Sequence, residues 1–262
     1  MTTVGMLGGI GPESTVEYYR SLIAGYRQLR PDGSYPSIII NSIDVTKLLA
    51  WMGANQLSEV ADYLVDELQR LARAGANFGI IAANTPHIVF DEVQQRSPIP
   101  LISIVEATCA EAGRRGISKA GLLGTRFTMQ ARFYPDVFSR KGITLVVPPD
   151  DEQDYIHDKY IGELLKGIFL PETRERLLGI IESMKQQHQI QAVILGGTEL
   201  PLILHGDQAC GIPLLDTTQI HVQAVVARLV VEQFQSCCLR YWVEHAFQAC
   251  MPRLQKGRGF SR

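Results

Sequence analysis

The residues with the clearest chemical potential stand where two apolar runs stop. Ile80-Ile81-Ala82-Ala83 ends in Asn84-Thr85-Pro86-His87, and Val193-Ile194-Leu195-Gly196-Gly197 ends in Thr198-Glu199-Leu200. Hydroxyls, an amide and titratable groups directly after a hydrophobic run are what a buried parallel strand leaves at a ligand crevice. A third such turn is Gly124-Thr125-Arg126-Phe127-Thr128. Side chains and N–H groups of this kind suit a small carboxylate, although Asn and Thr at these places also serve as ordinary helix caps. Each remaining candidate has a plain structural alternative. His87 one turn into a helix fits a packed histidine, Lys166-Gly167 fits a helix C-terminus, and Asp150-Asp151-Glu152 fits a solvated helix start. The glycine stretch Gly8-Gly9-Ile10-Gly11-Pro12-Glu13-Ser14-Thr15 lacks both the GxGxxG spacing and the GK[ST] of nucleotide cradles, so a tight strand-to-helix turn accounts for it.

The elements needed to hold these turns can be read in order. Thr3–Leu7 is a short strand, followed by a helix from Pro12 through Tyr26. Ser37–Ile43 reads as a buried strand and Asp44–Asn55 as a mixed loop. Leu57–Ala74 is an amphipathic helix closed by Gly75, with Val60, Leu64, Leu68 and Leu71 at helical spacing. Phe78–Ala82 and Ile99–Ile104 are strands, and Glu106–Arg115 is a helix. The pattern then restarts. Ala120–Thr125 echoes Val4–Gly9, Thr144–Val147 echoes Ser37–Ile40, Val193–Gly196 echoes Gly79–Ala82, and Gly211–Asp216 echoes Pro98–Ser103, at offsets of 107 to 116. Helices over Tyr155–Gly167 and Glu172–Gln187 lie between. Alternating strands and helices, repeated once, predict an α/β fold of two pseudo-symmetric domains. Each is a mostly parallel sheet flanked by helices, with the active-site cleft between them. We place residues 1–103 and 214–236 in the first domain, 104–213 in the second, and 237–262 in a C-terminal extension outside the repeat.

Composition narrows the functional classes. Of 262 residues 46% are hydrophobic and 20% charged, which is enough for a full core. A net charge of −2 argues against nucleic-acid or anionic-membrane partners. No apolar run approaches the ~18 residues a membrane span needs, and the N-terminus has no basic region preceding an apolar one. The five cysteines, Cys109, Cys210, Cys237, Cys238 and Cys250, form no CxxC or Cys/His ligand pattern, so no metal is expected and a reduced cytoplasmic setting is the simplest reading.

Together LGGIGPEST at Leu7–Thr15, ANTPH at Ala83–His87, LLGTRFTM at Leu122–Met129, ELLKG at Glu163–Gly167, LGGTELPLIL at Leu195–Leu204 and GIPLLDTTQIH at Gly211–His221 resemble the pyridoxal-phosphate-independent aspartate/glutamate racemase family. The resemblance covers about the first 235 residues. It implies a homodimer, no cofactor, an acidic amino acid or related dicarboxylate as the small-molecule substrate, and racemisation by two cysteines facing Cα from opposite walls. Cysteine suits that task because its pKa, near 8.5 when free, lets thiol and thiolate exchange roles. Matched motif by motif, the cysteine positions are Ala83 and Gly197, neither of which can carry a proton. Gly9, Asn84, Thr85, Thr198 and Glu199 match the carboxylate-binding frame, Thr125, Arg126 and Thr128 the cleft lining, and Lys166 a lysine meeting a distal carboxylate. Three outcomes are open: proton transfer at Cα, impaired and run by surrogates such as His87 or Glu199; a different cofactor-free reaction; or a pseudo-enzyme that only binds. If the frame is intact, cysteines restored at positions 83 and 197 should restore racemisation.

Overall fold

The computed structural model describes residues 2–30 and 32–232. The expected tail 237–262 lies outside them. The first half contains β1 (Thr3–Gly8), α1 (Pro12–Leu29), β2 (Ser37–Ser42), α2 (Val45–Gly53), α3 (Leu57–Arg73), β3 (Phe78–Ile81), α4 (Phe90–Arg96), β4 (Leu101–Ile102) and α5 (Ile104–Arg114). The second contains β5 (Lys119–Gly124), α6 (Arg126–Gln130), α7 (Phe133–Ser139), β6 (Thr144–Val146), α8 (Asp150–Gly162), α9 (Pro171–His188), β7 (Ala192–Gly196), α10 (Leu200–Ile203), β8 (Gln208–Ala209) and β9 (Ile212–Asp216). A last helix, α11, spans 217–232. Two short 3-10 helices, Thr85–Val89 and Leu164–Lys166, complete the set.

The two sheets share one plan. The order is β2-β1-β3-β4 in the first and β6-β5-β7-β9-β8 in the second, all parallel except the β8–β9 pair. In both, the first strand of the half is central and the chain moves to either side of it. This places the topological switch point, and hence the crevice, at the C-terminal ends of β1 and β3 in one half and of β5 and β7 in the other. The sequence repeat is therefore a structural repeat.

Period-two alternation gives each sheet two buried faces. Leu7 and Ile81 face one way, into a core closed by α2, α3 and α4. Val4, Met6, Phe78 and Ile80 face the other, where Tyr18, Leu22 and Tyr26 of α1 meet Val222, Val225, Val226 and Leu229 of α11. The helix following each half's last matched strand packs on the opposite sheet. Ile104, Val105, Cys109 and Ala112 of α5 cover Ala120, Leu122 and Ile194 of the second sheet, while α11 covers the first. This exchange locks the halves together. Its polar counterpart is buried as well. The His221 Nε2–H donates to the Ile102 carbonyl at 2.9 Å, so Nδ1 accepts from the Tyr18 hydroxyl at 2.9 Å.

Several expectations change. Asp44–Asn55 is not loop but α2, begun by the Asp44 carboxylate accepting from Thr46 N–H at 2.8 Å, with Leu48 and Met52 buried one turn apart. β2 is not a buried strand: it is an edge strand paired only to β1, and Ile40 is 40% exposed. The strand over Ile99–Ile104 shrinks to Leu101–Ile102 because Ser103 already caps α5. The domain boundary drawn between 213 and 214 falls inside β9, whose residues pair wholly within the second sheet, so the chain crosses back after Asp216.

Leu229, fully buried on α11 against the first sheet, should tie global stability to the helix exchange. Leu229→Ala is expected to cost ~2–5 kcal/mol, read from urea unfolding of the full chain.

Candidate active site

All four central strands end at the same place. After β1 the chain turns through Gly9-Ile10-Gly11. After β3 it passes Ala83, Asn84 and Thr85, after β5 Thr125, and after β7 Gly197, Thr198 and Glu199. The cavity they enclose between the halves is small, ≈ 30 Å³. Ala83, Asn84, Thr85, Thr125, Thr198 and Tyr160 line its strand-end side, with Ile10, α2, Pro86, Ile161 and Leu165 around them.

The threonine hydroxyls meet across the cleft. Thr85 Oγ1 of the first half lies 3.1 Å from Thr125 Oγ1 and 3.3 Å from Thr128 Oγ1 of the second, and the latter two are 3.3 Å apart. These separations exceed the usual ~2.7–2.8 Å of O–H···O bonds, so the three hydroxyls are loosely held and can turn to an anion. Of the turn residues, only Thr125 acts as a side-chain helix cap, accepting from Thr128 N–H. Asn84 and Glu199 make no cap hydrogen bond. Asn84 instead joins the halves: its amide donates to Thr217 Oγ1 at 3.0 Å and its carbonyl accepts from Tyr134 Oη at 2.6 Å.

Glu199 is fully buried. Its Oε2 accepts from the Tyr160 hydroxyl and from Thr198 Oγ1. Its Oε1 rests against Gly11 and the start of α1 in the other half, where no group donates to it; the Ser14 hydroxyl there donates to the Gly11 carbonyl. Burial pushes Glu199 above the usual carboxylate range despite these hydrogen bonds. The glycines of Gly8–Gly11 now have a reason. Gly11 has φ +97°, and a Cβ there would run into the Glu199 carboxyl. Gly9, φ +79°, donates its N–H to Thr15 Oγ1 at 2.9 Å and does not line the cavity.

Ala83 and Gly197 follow the ends of β3 and β7, and their environments differ. Ala83 borders the cavity directly. The side-chain position of Gly197 is taken: a Cβ there would meet Tyr160 Cζ and Oη at 2.9 Å and Cε2 closer still. Tyr160, from α8, thus occupies the side-chain space of Gly197. Burial and the adjacent Glu199 hold its phenol well above the ordinary value.

The other candidates lie elsewhere. His87 is buried and stacked on Phe90, its Nε2 accepting from Ile104 N–H at 3.4 Å, and burial lowers it to about 3. It is a neutral core histidine, as its plain reading held. Arg126 pairs with Asp154 at 2.7 Å, its Nε is buried without a hydrogen-bond partner, and it does not line the cavity. Lys166 is exposed in the Leu164–Lys166 turn and is not part of the cavity wall. Cys109 is packed in the second-sheet core and Cys210 accepts no role at the cavity, its Sγ donating to Leu178 O at 3.4 Å. Among the described residues no cluster of three potential ligands could hold a metal, and no helix is long and apolar enough to cross a membrane. Sequence reasoning missed Tyr160, which sits in the unremarkable helix stretch Asp158-Lys159-Tyr160-Ile161. It also missed α2 as part of the cavity wall. Only the packing of α8 against β7 brings Tyr160 to Gly197.

Two matched, mostly parallel sheets flanked by helices, with hydroxylic residues at their shared strand ends, define an α/β fold of two similar halves. The chain belongs to the Asp/Glu/hydantoin racemase family, whose model matches residues 7–225. It is 25% identical over 239 residues to the broad specificity amino-acid racemase RacX of Bacillus subtilis strain 168, covering 88% of this chain and 99% of that one. An aspartate racemase homologue from Pyrococcus horikoshii OT3 superposes with a TM-score of 0.73 at 35% identity, over 88% of this chain and 100% of that chain. The aspartate racemase of Picrophilus torridus shares the fold at 21% identity and a TM-score of 0.69, over 88% and 94% of the two chains.

Two outcomes follow from this geometry. Gly197→Ala forces the Tyr160 ring to move and should cost ~1–3 kcal/mol. The loss should largely vanish in a Tyr160→Ala background, giving a coupling of ~0.5–3 kcal/mol in a double-mutant cycle measured by denaturant unfolding. His87, held at about 3, and His221, held at about 4 by burial, stay neutral in the folded chain. The unfolded chain takes up protons below the ordinary histidine value of about 6.5, so the stability these two supply is full above that pH and falls as pH drops toward 4. His221→Asn should flatten the acid limb of a plot of stability against pH by ~1–3 kcal/mol between pH 6.5 and 4.

Proposed function

We propose that this chain is a racemase-family protein that binds an amino-acid-type carboxylate between its halves and does not exchange the Cα proton by the two-thiol route. The observation that carries the proposal is the pair of walls: Ala83 on one side, and on the other Gly197 with the Tyr160 ring in its side-chain space. A methyl group cannot move a proton. A phenol raised well above its ordinary value stays protonated at neutral pH, so Tyr160 can donate a hydrogen bond but is a poor acceptor of the Cα proton. Glu199 sits behind Tyr160 with its proton favoured by burial. His87 is turned into the core. The hydroxyls of Thr85, Thr125 and Thr198 border the cavity and are the groups available to a ligand carboxylate, the first two loosely paired with each other and with the fully buried Thr128. The site thus keeps a place for the carboxylate and lacks the acid/base pair. A homodimer is part of the proposal and rests on the resemblance stated above; light scattering should return about twice 29.1 kDa.

Incubation in D₂O with each isomer of several amino acids tests the chemistry by proton NMR. The expected outcome is no loss of the Cα–H signal above the enzyme-free rate, together with a ligand-dependent rise in melting temperature. Rapid Cα deuteration by the unaltered chain would overturn the proposal. Ala83→Cys with Gly197→Cys should stay inert, because the second thiol collides with Tyr160. Measurable racemisation is expected only when Tyr160→Ala is added.

A further inference from the structure

The geometry points to an aliphatic amino acid, rather than an acidic one, as the ligand of this cleft. The inference rests on the binding reading above and sharpens its ligand class. The cavity lining falls into two chemical sets. Its polar groups are Asn84, Thr85, Thr125 and Thr198 at the strand ends, where a carboxylate belongs, and the Tyr160 phenol of α8. Most of the remainder is Val45, Leu48, Leu49 and Met52 of α2, with Ile161 and Leu165 from α8 and the turn after it. These are aliphatic chains with no donor for a second carboxylate. A ligand held by its carboxylate at the threonines must point its side chain at this wall.

The cations close enough to change that are committed elsewhere. Lys47, the cation of α2, lies over the rings of Trp51 at 5.8 Å and Tyr63 at 5.4 Å. Arg126 pairs with Asp154, and Lys159 pairs with Glu163. Lys166 is exposed and outside the cavity wall. Among the described residues, then, no cationic side chain lines the cavity. A distal carboxylate there would lose its water and gain no partner, which is strongly unfavourable. An aliphatic side chain would gain from the same wall by leaving water.

The volume sets a further condition. At ≈ 30 Å³ the cavity has room for about one water, not an amino acid. α2 must therefore move outward as the ligand enters, or the halves must part. α2 contributes four of the lining residues, and its Leu48 and Met52 are packed in the core beneath it. Its apolar face would close over the ligand side chain and expel water, so binding and closure draw on the same hydrophobic contact.

Titration calorimetry at pH 7 of the full chain with both isomers of leucine, methionine, aspartate and glutamate tests this. At least one isomer of leucine or methionine should bind at least tenfold more tightly than any of the acidic ligands. Aspartate or glutamate binding equally or better would overturn the ligand class while leaving the binding reading in place. Failure of all of them to bind at 10 mM would overturn the binding reading itself, and this inference with it. Leu49→Lys, at a half-buried position on the α2 wall, supplies the missing cation. It should improve glutamate binding at least tenfold and weaken leucine. If a folded Leu49→Lys chain, verified by circular dichroism, binds both as the unaltered chain does, the ligand does not face α2 and the inference fails.

Discussion

The buried Glu199 carboxyl is the contact on which the rest of the site depends. It reaches from the end of β7 in the second half to the first turn of α1 in the first, and it takes the Tyr160 hydroxyl on its way. A carboxyl in this position needs a backbone without a Cβ at Gly11, so the glycine turn after β1 and the glutamate after β7 are one feature split across 188 positions of sequence. The same contact fixes the Tyr160 ring. The ring in turn fills the space beside Gly197 and narrows the cavity. Burial pushes the acid above the usual carboxylate range, which lessens the penalty of holding a charge between the halves.

The fold supplies the context in which such a contact can form. Each half sends its last helix to the other's sheet, so the two strand-end surfaces are pressed face to face by apolar packing on the outer faces of both sheets. Asn84, linked to both Tyr134 and Thr217, and His221, linked to Tyr18 and Ile102, give the same clamp its polar geometry. Of these groups, Asn84 was expected at the ligand, and its hydrogen bonds hold the halves in register instead. The hydroxyls that remain loosely bonded, Thr85, Thr125 and Thr128, are the ones free to reorient.

The family's fold is kept. The glycine at position 197 and the Tyr160 ring in the space beside it are two parts of one packing solution. Similarly, an aliphatic α2 wall and cations committed elsewhere belong together, since a lysine facing that wall would have no counter-charge in the absence of ligand. Shape, charge and proton inventory of the cleft are consistent with one another and differ together from what the resemblance alone implies.

The sequence by itself determined the class of the fold and the location of the site. Apolar runs ending in hydroxylic residues mark strand ends because a parallel strand is buried along its length and exposed only at its edge of the sheet, and the repeat of β1–β4 in β5, β6, β7 and β9 told that two such sets exist. It also showed that Ala83 and Gly197 cannot carry protons, which is a property of the residue type alone. Tertiary structure decided the rest. Whether Arg126 and Lys166 face the cleft depends on Asp154 and on a 3-10 turn, neither visible in local pattern. Asp44–Asn55 was unreadable as a helix because nine residues with one cap give a weak signal, and its apolar residues show their purpose only over the cavity. Tyr160 was invisible for the same reason. A tyrosine within an ordinary helix carries no mark of which glycine, far along the chain, its ring will cover, and contacts of that kind are set by packing between elements and not by spacing within them.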